Sequence, residues 1–390
     1  MNFSRSLSPT ASIIPIIFVV QCLLLPSAAL AAAALPAAGT SMTQVAITNF
    51  AGTTDNGNAD GAGDAARFDF PYALAVDGAG NLYVADSNNQ TIRKITTAGI
   101  VSTVAGSAGV FGSNDGKGVA AQFSSPQGVA VDKTGNLYVT DTNNQTVRKI
   151  SPAGVVTTLA GTAGNTGSAD GNGGDAQFDL PSGIAVDGSG NVYVADSNNQ
   201  TIRKITPDGM VTTLAGSAGI HGSSDGKGSA ARFSSPQGVA VDGAGNIFVA
   251  DTNNQTIRKI SATGEVTTLA GAAGVLGSTD GTGMAARFNY PFSLAVDGTG
   301  NVFVADVWNS TIRKITATGV VTTLAGCAKL FGSTNGTGEI ARFSGPRAVA
   351  VDGEGNIFVS DTGNNTIRKG VLTAVAIIAP SDVVIAFAVQ

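Results

Sequence analysis

The chain has 390 residues, with 52 glycines, 43% hydrophobic and 13% charged residues, and a net charge of −5. Glycine at nearly twice its usual share of ~7% marks a turn-rich chain, and the apolar content is too high for disorder. The acidic balance excludes a phosphate-binding nucleic-acid face, and one histidine with two cysteines excludes a multi-histidine metal centre and a disulfide scaffold.

Residues 1–31 read as a secretory signal: Arg5 opens it, Ile13 to Leu25 form the apolar run, Pro26 breaks it, and Ala29-Leu30-Ala31 suits cleavage. The run is shorter than the ~20 residues of a membrane span. Cleavage removes Arg5 and Cys22, leaving 21 basic against 27 acidic residues, a charge of −6, and Cys327 as the sole thiol. Residues 32–42 read as a linker. The expected location is therefore secreted, periplasmic or at the cell surface, with no membrane span after the signal is removed.

Residues 43–374 are one unit written six times. Prolines at 71, 126, 181, 236, 291 and 346 recur every 55 residues. Each introduces four strands, read in the third unit as Gly183–Asp187, Asn191–Asp196, Thr201–Ile205 and Val211–Gly216. Gly/Asn/Asp turns separate them, and a Gly-rich loop of about twenty residues leads to the next proline. Six units of four antiparallel strands predict an all-β, six-bladed β-propeller of four-stranded antiparallel blades. The sixth unit lacks its fourth strand, and Ile47 to Gly52 match the missing wording. The N-terminal strand is therefore expected to close the last blade, leaving no open edge. The tail, residues 375–390, is apolar but broken by Pro380 and Asp382, and reads as an added strand or a linker stub.

The pattern Pro-x-Gly-(Ile/Val)-Ala-Val-Asp-x-x-Gly-Asn followed by Asn-x-Thr-Ile-Arg-Lys resembles NHL repeats. With Leu-Ala-Gly and Asp-Gly-x-Gly in the loop, it is similar to the NHL propellers of bacterial exported proteins and teneurins, over roughly Thr43 to Val371. The resemblance implies the fold and leaves the activity open, because such propellers include enzymes, receptors and scaffolds. Catalytic relatives supply tests. Amidating-lyase propellers use three histidines, and this chain has one, His221. Gluconolactonase-like and strictosidine-synthase-like propellers place a Glu in the channel, whereas Glu265, Glu339 and Glu354 fall in turns or outer loops in this reading. No catalytic residue, cofactor or metal ligand is assigned.

Residues repeated in every blade read as blade-building. They are Asp77 and its five equivalents, Asp86 and its five, and the Arg-Lys pairs, which either pair with these aspartates or reach out to solvent, while the long loop carries Asp60, Asp115, Asp170, Asp225 and Asp280 with Asn335 in the sixth place. The loop set also raises calcium, although most copies offer a single carboxylate. Differences between units mark the candidate site. The residue after each proline is Tyr72, Gln127, Ser182, Gln237, Phe292 and Arg347, and the bend of blade five carries Trp308, the only tryptophan. Tyr72, Phe292, Trp308 and Arg347 should form one sector of the mouth, facing Gln127, Ser182 and Gln237. Aromatic residues and Arg are enriched in binding hot spots. The expected function is a non-catalytic, monomeric module that binds an extracellular protein, peptide or carbohydrate. The alternatives are a metal-dependent lactonase-type hydrolase and a structural scaffold of a larger surface protein.

Overall fold

The structure, a computed structural model, describes residues 41–376. The expected signal, the linker up to residue 40 and the tail beyond residue 376 lie outside the described residues. Among the described residues no helix is long and apolar enough to cross a membrane.

Six sheets are arranged as the blades of a propeller. In blade one, Pro71–Val76 is innermost, followed outward by Leu82–Asp86, Thr91–Ile95 and Ile100–Ala105. All five residues of Leu82–Asp86 are buried, because neighbouring blades cover both faces of each sheet. The first hairpin turns on Asp77, whose Oδ1 accepts from the backbone N–H groups of Ala79 and Asn81, both at 2.9 Å. Gly80 takes φ +82 there, a conformation that favours glycine.

The blades have five strands, not the four expected. The loop before each proline contributes a two-residue strand, Gly61–Ala62 in blade one, which pairs antiparallel with Ile100 and Val101. This strand covers the outer edge, which would otherwise present unpaired N–H and C=O groups. Closure follows the expectation. Ser41–Ala51 lies between the last strand, Thr366–Ala376, and the short strand Gly336–Thr337 of blade six. Phe50 packs on Phe358 with centroids 5.6 Å apart.

The core is divided among the junctions between blades. At the junction of blades three and four, Tyr193, Ala195 and Ile202 meet Phe233, Val239, Val249 and Ile260. Phe68, Phe123, Phe178, Phe233, Phe288 and Phe343 are each fully buried, and burying such a ring contributes roughly 1.5–3 kcal/mol.

The arginine of every Thr-Ile/Val-Arg-Lys strand is buried, which separates the two readings of the Arg-Lys pairs. Arg93 reaches Asp86 and Asp60, both at 2.7 Å, and the carbonyls of Arg67 and Ala59 at 3.0 and 2.9 Å. It stacks 5.2 Å from the centre of Phe68. Burial pushes the Asp86 carboxyl up to about 6, against the pull of Arg93, Asn89 and the N–H of Asp69. Each loop aspartate is thus engaged by an arginine, and in the sixth unit Asn335 replaces it, its Oδ1 2.7 Å from Arg368. The aspartates equivalent to Asp77 hold their own hairpins instead of an arginine. Lys94 lies over the ring of Tyr83 at 5.6 Å.

Candidate functional site

The three glycines Gly128, Gly183 and Gly238 bring innermost strands into backbone contact. A Cβ there would lie 2.2 to 2.4 Å from the carbonyl oxygens of Ser182, Gln237 and Phe292. Deeper in, the channel is walled by Leu74, Val129, Ile184, Val239, Leu294 and Val349. Glu339 sits in a short 3₁₀ turn and Glu354 in a hairpin turn. Glu265, read from the sequence as turn or loop, is the exposed first residue of an outer strand.

Two latches join consecutive blades at the mouth. A bend hydroxyl donates to the carbonyl of the next blade's proline: Ser87 to Pro126, Thr142 to Pro181 at 2.7 Å, Ser197 to Pro236 at 2.6 Å, Thr252 to Pro291 at 2.7 Å and Thr362 to Pro71 at 2.7 Å. Three residues on, a carboxamide oxygen accepts the N–H of the residue before that proline. Gln90, Gln145, Gln200 and Gln255 do so at 2.6 to 2.7 Å, and Asn365 at 3.0 Å. This second latch holds pre-proline residues with φ of 47 to 62°, a conformation that is costly for Phe70, Leu180 and Tyr290.

At the junction of blades five and six both latches are missing. Val307 has no hydroxyl, and Ser310 takes the glutamine's place with its Oγ buried and unpartnered. Gly345 stands before the proline, and the innermost strand begins at Ala348 rather than at the proline. A cavity of about 420 Å³ opens there, lined by Phe70, Asn289, Val307, Trp308, Phe331 and Arg347 among others. Asn289 Oδ1 is also buried without a partner.

The rings form a continuous train. Trp308 stacks on Tyr290 with centroids 4.9 Å apart and planes at 11°, and Tyr290 lies 6.5 Å from Phe292. Phe292 meets Tyr72 edge-on at 5.2 Å, and Tyr72 lies 6.1 Å from Phe70. The Arg347 guanidinium sits 5.0, 4.7 and 4.9 Å from the centres of Phe70, Tyr72 and Phe292. Burial pushes the Tyr72 hydroxyl up to about 12, against the pull of Arg347, so it stays protonated.

Residues 68–95, 123–150, 178–205, 233–260 and 343–369 match the NHL repeat family. The chain belongs to the NHL-repeat proteins. This NHL propeller is 28% identical over 335 residues to bovine NHL repeat-containing protein 2, covering 77% of this chain and 46% of that protein. It is 28% identical over 286 residues to zebrafish teneurin-3, covering 63% of this chain and 10% of that one. The chain thus spans less than half the length of either relative. Among solved structures, an auxiliary nutrient binding protein from Bacteroides thetaiotaomicron superposes with a TM-score of 0.63 at 19% identity, covering 85% of this chain and 77% of the other. That likeness concerns the fold. The five matched stretches pass over the strands of blade five, which carries Phe292 and Trp308.

Tyr72, Phe292 and Arg347 are brought into contact, and Trp308 joins them through Tyr290. Gln127, Ser182 and Gln237 line the mouth opposite, in a small cavity of about 50 Å³ shared with Tyr72 and Phe292. Sequence reasoning missed Phe70 and Tyr290. The signal for them was the pre-proline position, which reads Phe, Ser, Leu, Ser, Tyr, Gly around the ring.

Proposed function

We propose that this NHL propeller is an exported, non-catalytic binding module whose ligand docks at the mouth over blades five, six and one. The observation that carries the reading is the Arg347 guanidinium among three aromatic rings, beside a cavity at the one junction where both latches are missing. Evolution of a near-identical repeat would otherwise scatter substitutions around the ring. Here Val307, Trp308 and Ser310 depart together from the bend wording Ser/Thr-Asn-Asn-Gln of blades one to four, next to Gly345 and Arg347 at the two positions that vary from unit to unit. The cavity falls in the usual range of ~300–1,000 Å³ for small-molecule sites. Gln127 and Gln237 serve as a polar rim across the mouth.

Once a ligand is in hand, Trp308→Ala and Arg347→Ala are each expected to weaken it by roughly thirtyfold, about 2 kcal/mol, and Gln127→Ala by far less. Isothermal titration of the three variants checks this. Equal small losses at all three would show that the sector is ordinary packing. Metal-dependent turnover of a lactone, abolished by replacing one carboxylate, would overturn the non-catalytic reading. Export is tested by the mass of the mature protein, expected to begin at Ala32.

A further inference from the structure

The arginines of the described residues fall into three groups. Those of the six buried networks end on aspartates, with Arg368 reaching Asp361 and Asn335. Arg67, Arg232, Arg287 and Arg342 end on nearby backbone carbonyls. Arg347 forms the third group alone. Among the described residues no carboxylate lies within ion-pair distance of it, and its company is the Tyr72 hydroxyl and three rings. An aromatic box fixes a guanidinium by cation–π attraction without using up its N–H donors. Arg347 is partly buried among these rings, and a charge-assisted hydrogen bond made there is stronger than a neutral one.

We propose that the cleft between blades five and six binds a small carboxylate with a flat apolar body, its anion on Arg347 and its ring against Trp308. This rests on the reading above and names the ligand's chemical class. Trp308 is stacked on one side by Tyr290 yet is 57% exposed, so much of its ring remains free as a platform. Phe70, Val307 and Phe331 supply apolar walls for the flat body of the ligand. A cation would be repelled by Arg347.

The sole tryptophan makes the test direct. Trp308 emission in the full-length protein is titrated with phenylacetate, with its neutral counterpart 2-phenylethanol, and with acetate. Phenylacetate is expected to change the emission saturably and to bind at least about tenfold more tightly than either of the others. Arg347→Gln should reduce phenylacetate to the level of the alcohol, and Arg347→Lys should retain part of the preference; unchanged thermal melts show that both variants are folded. Equal binding of phenylacetate and 2-phenylethanol, or full affinity in Arg347→Gln, would overturn the ligand class while leaving the site itself in place. Binding detected by calorimetry with no response from Trp308 would overturn the site. No binding of phenylacetate by either method up to about 10 mM would overturn the proposal as well.

Discussion

Deleting residues 41–51 from the full chain is expected to destabilise the ring more than any single substitution. The deleted strand carries Val45 and Ile47, which are buried in the core between blades five and six. Their burial contributes roughly 3–6 kcal/mol together, at about 1.5–3 kcal/mol each. The deletion also exposes the edge of Thr366–Ala376 and strands the short Gly336–Thr337. Freed edges of this kind template aggregation. Thermal unfolding followed by circular dichroism should show a collapse of the melting transition or precipitation on heating. A melting temperature within a degree or two of the parent would contradict closure by this strand.

The second large effect lies in the buried networks. Asp196 accepts from Arg203 at 2.7 Å, from Asn199 at 2.8 Å and from the N–H of Asp179 at 2.8 Å, with no exposure to solvent. Asp196→Ala leaves the buried guanidinium short of a charge partner and is expected to cost about 3–5 kcal/mol. Asp170→Asn touches the same arginine from the other side, but Asp170 is half exposed, and exposed pairs are worth about 0–1 kcal/mol. The sixth unit already carries Asn335 at that place, so the chain tolerates the change naturally. Urea unfolding of the two variants checks the contrast, and similar losses in both would contradict it.

The ring was legible because its signals are periodic. A proline every 55 residues and alternating apolar runs specify strands, and the missing sixth copy of Val-Thr-Thr-Leu-Ala-Gly points to Ile47–Gly52. The fifth strand was not legible, because Gly61 and Ala62 carry no side-chain pattern and pair through backbone alone. The fate of Arg93 was only half legible. Adjacent Arg and Lys both look like surface residues, and the alternation of a strand shows that one points inward without saying which aspartate awaits it. Tyr72, Phe292 and Arg347 stood out because the position after each proline varied, and Trp308 because the bend of blade five departs from the Asn of blades one to four. The latches could not, since Ser310 for Gln and Val307 for Thr look neutral until their partners across the junction are seen.

The central claim is that the missing latches make the binding cleft, and restoring them is the most direct test. Val307→Thr, Ser310→Gln and Gly345→Ser together write the bonds of the other junctions into blades five and six, while keeping Trp308 and Arg347. Serine already adopts the required positive φ at Ser125 and Ser235. Calorimetric titration of this triple variant with phenylacetate should show binding lost, with a melting temperature equal to or above that of the parent, as expected when a functional site is exchanged for stability. Undiminished affinity in the latched protein would contradict the account.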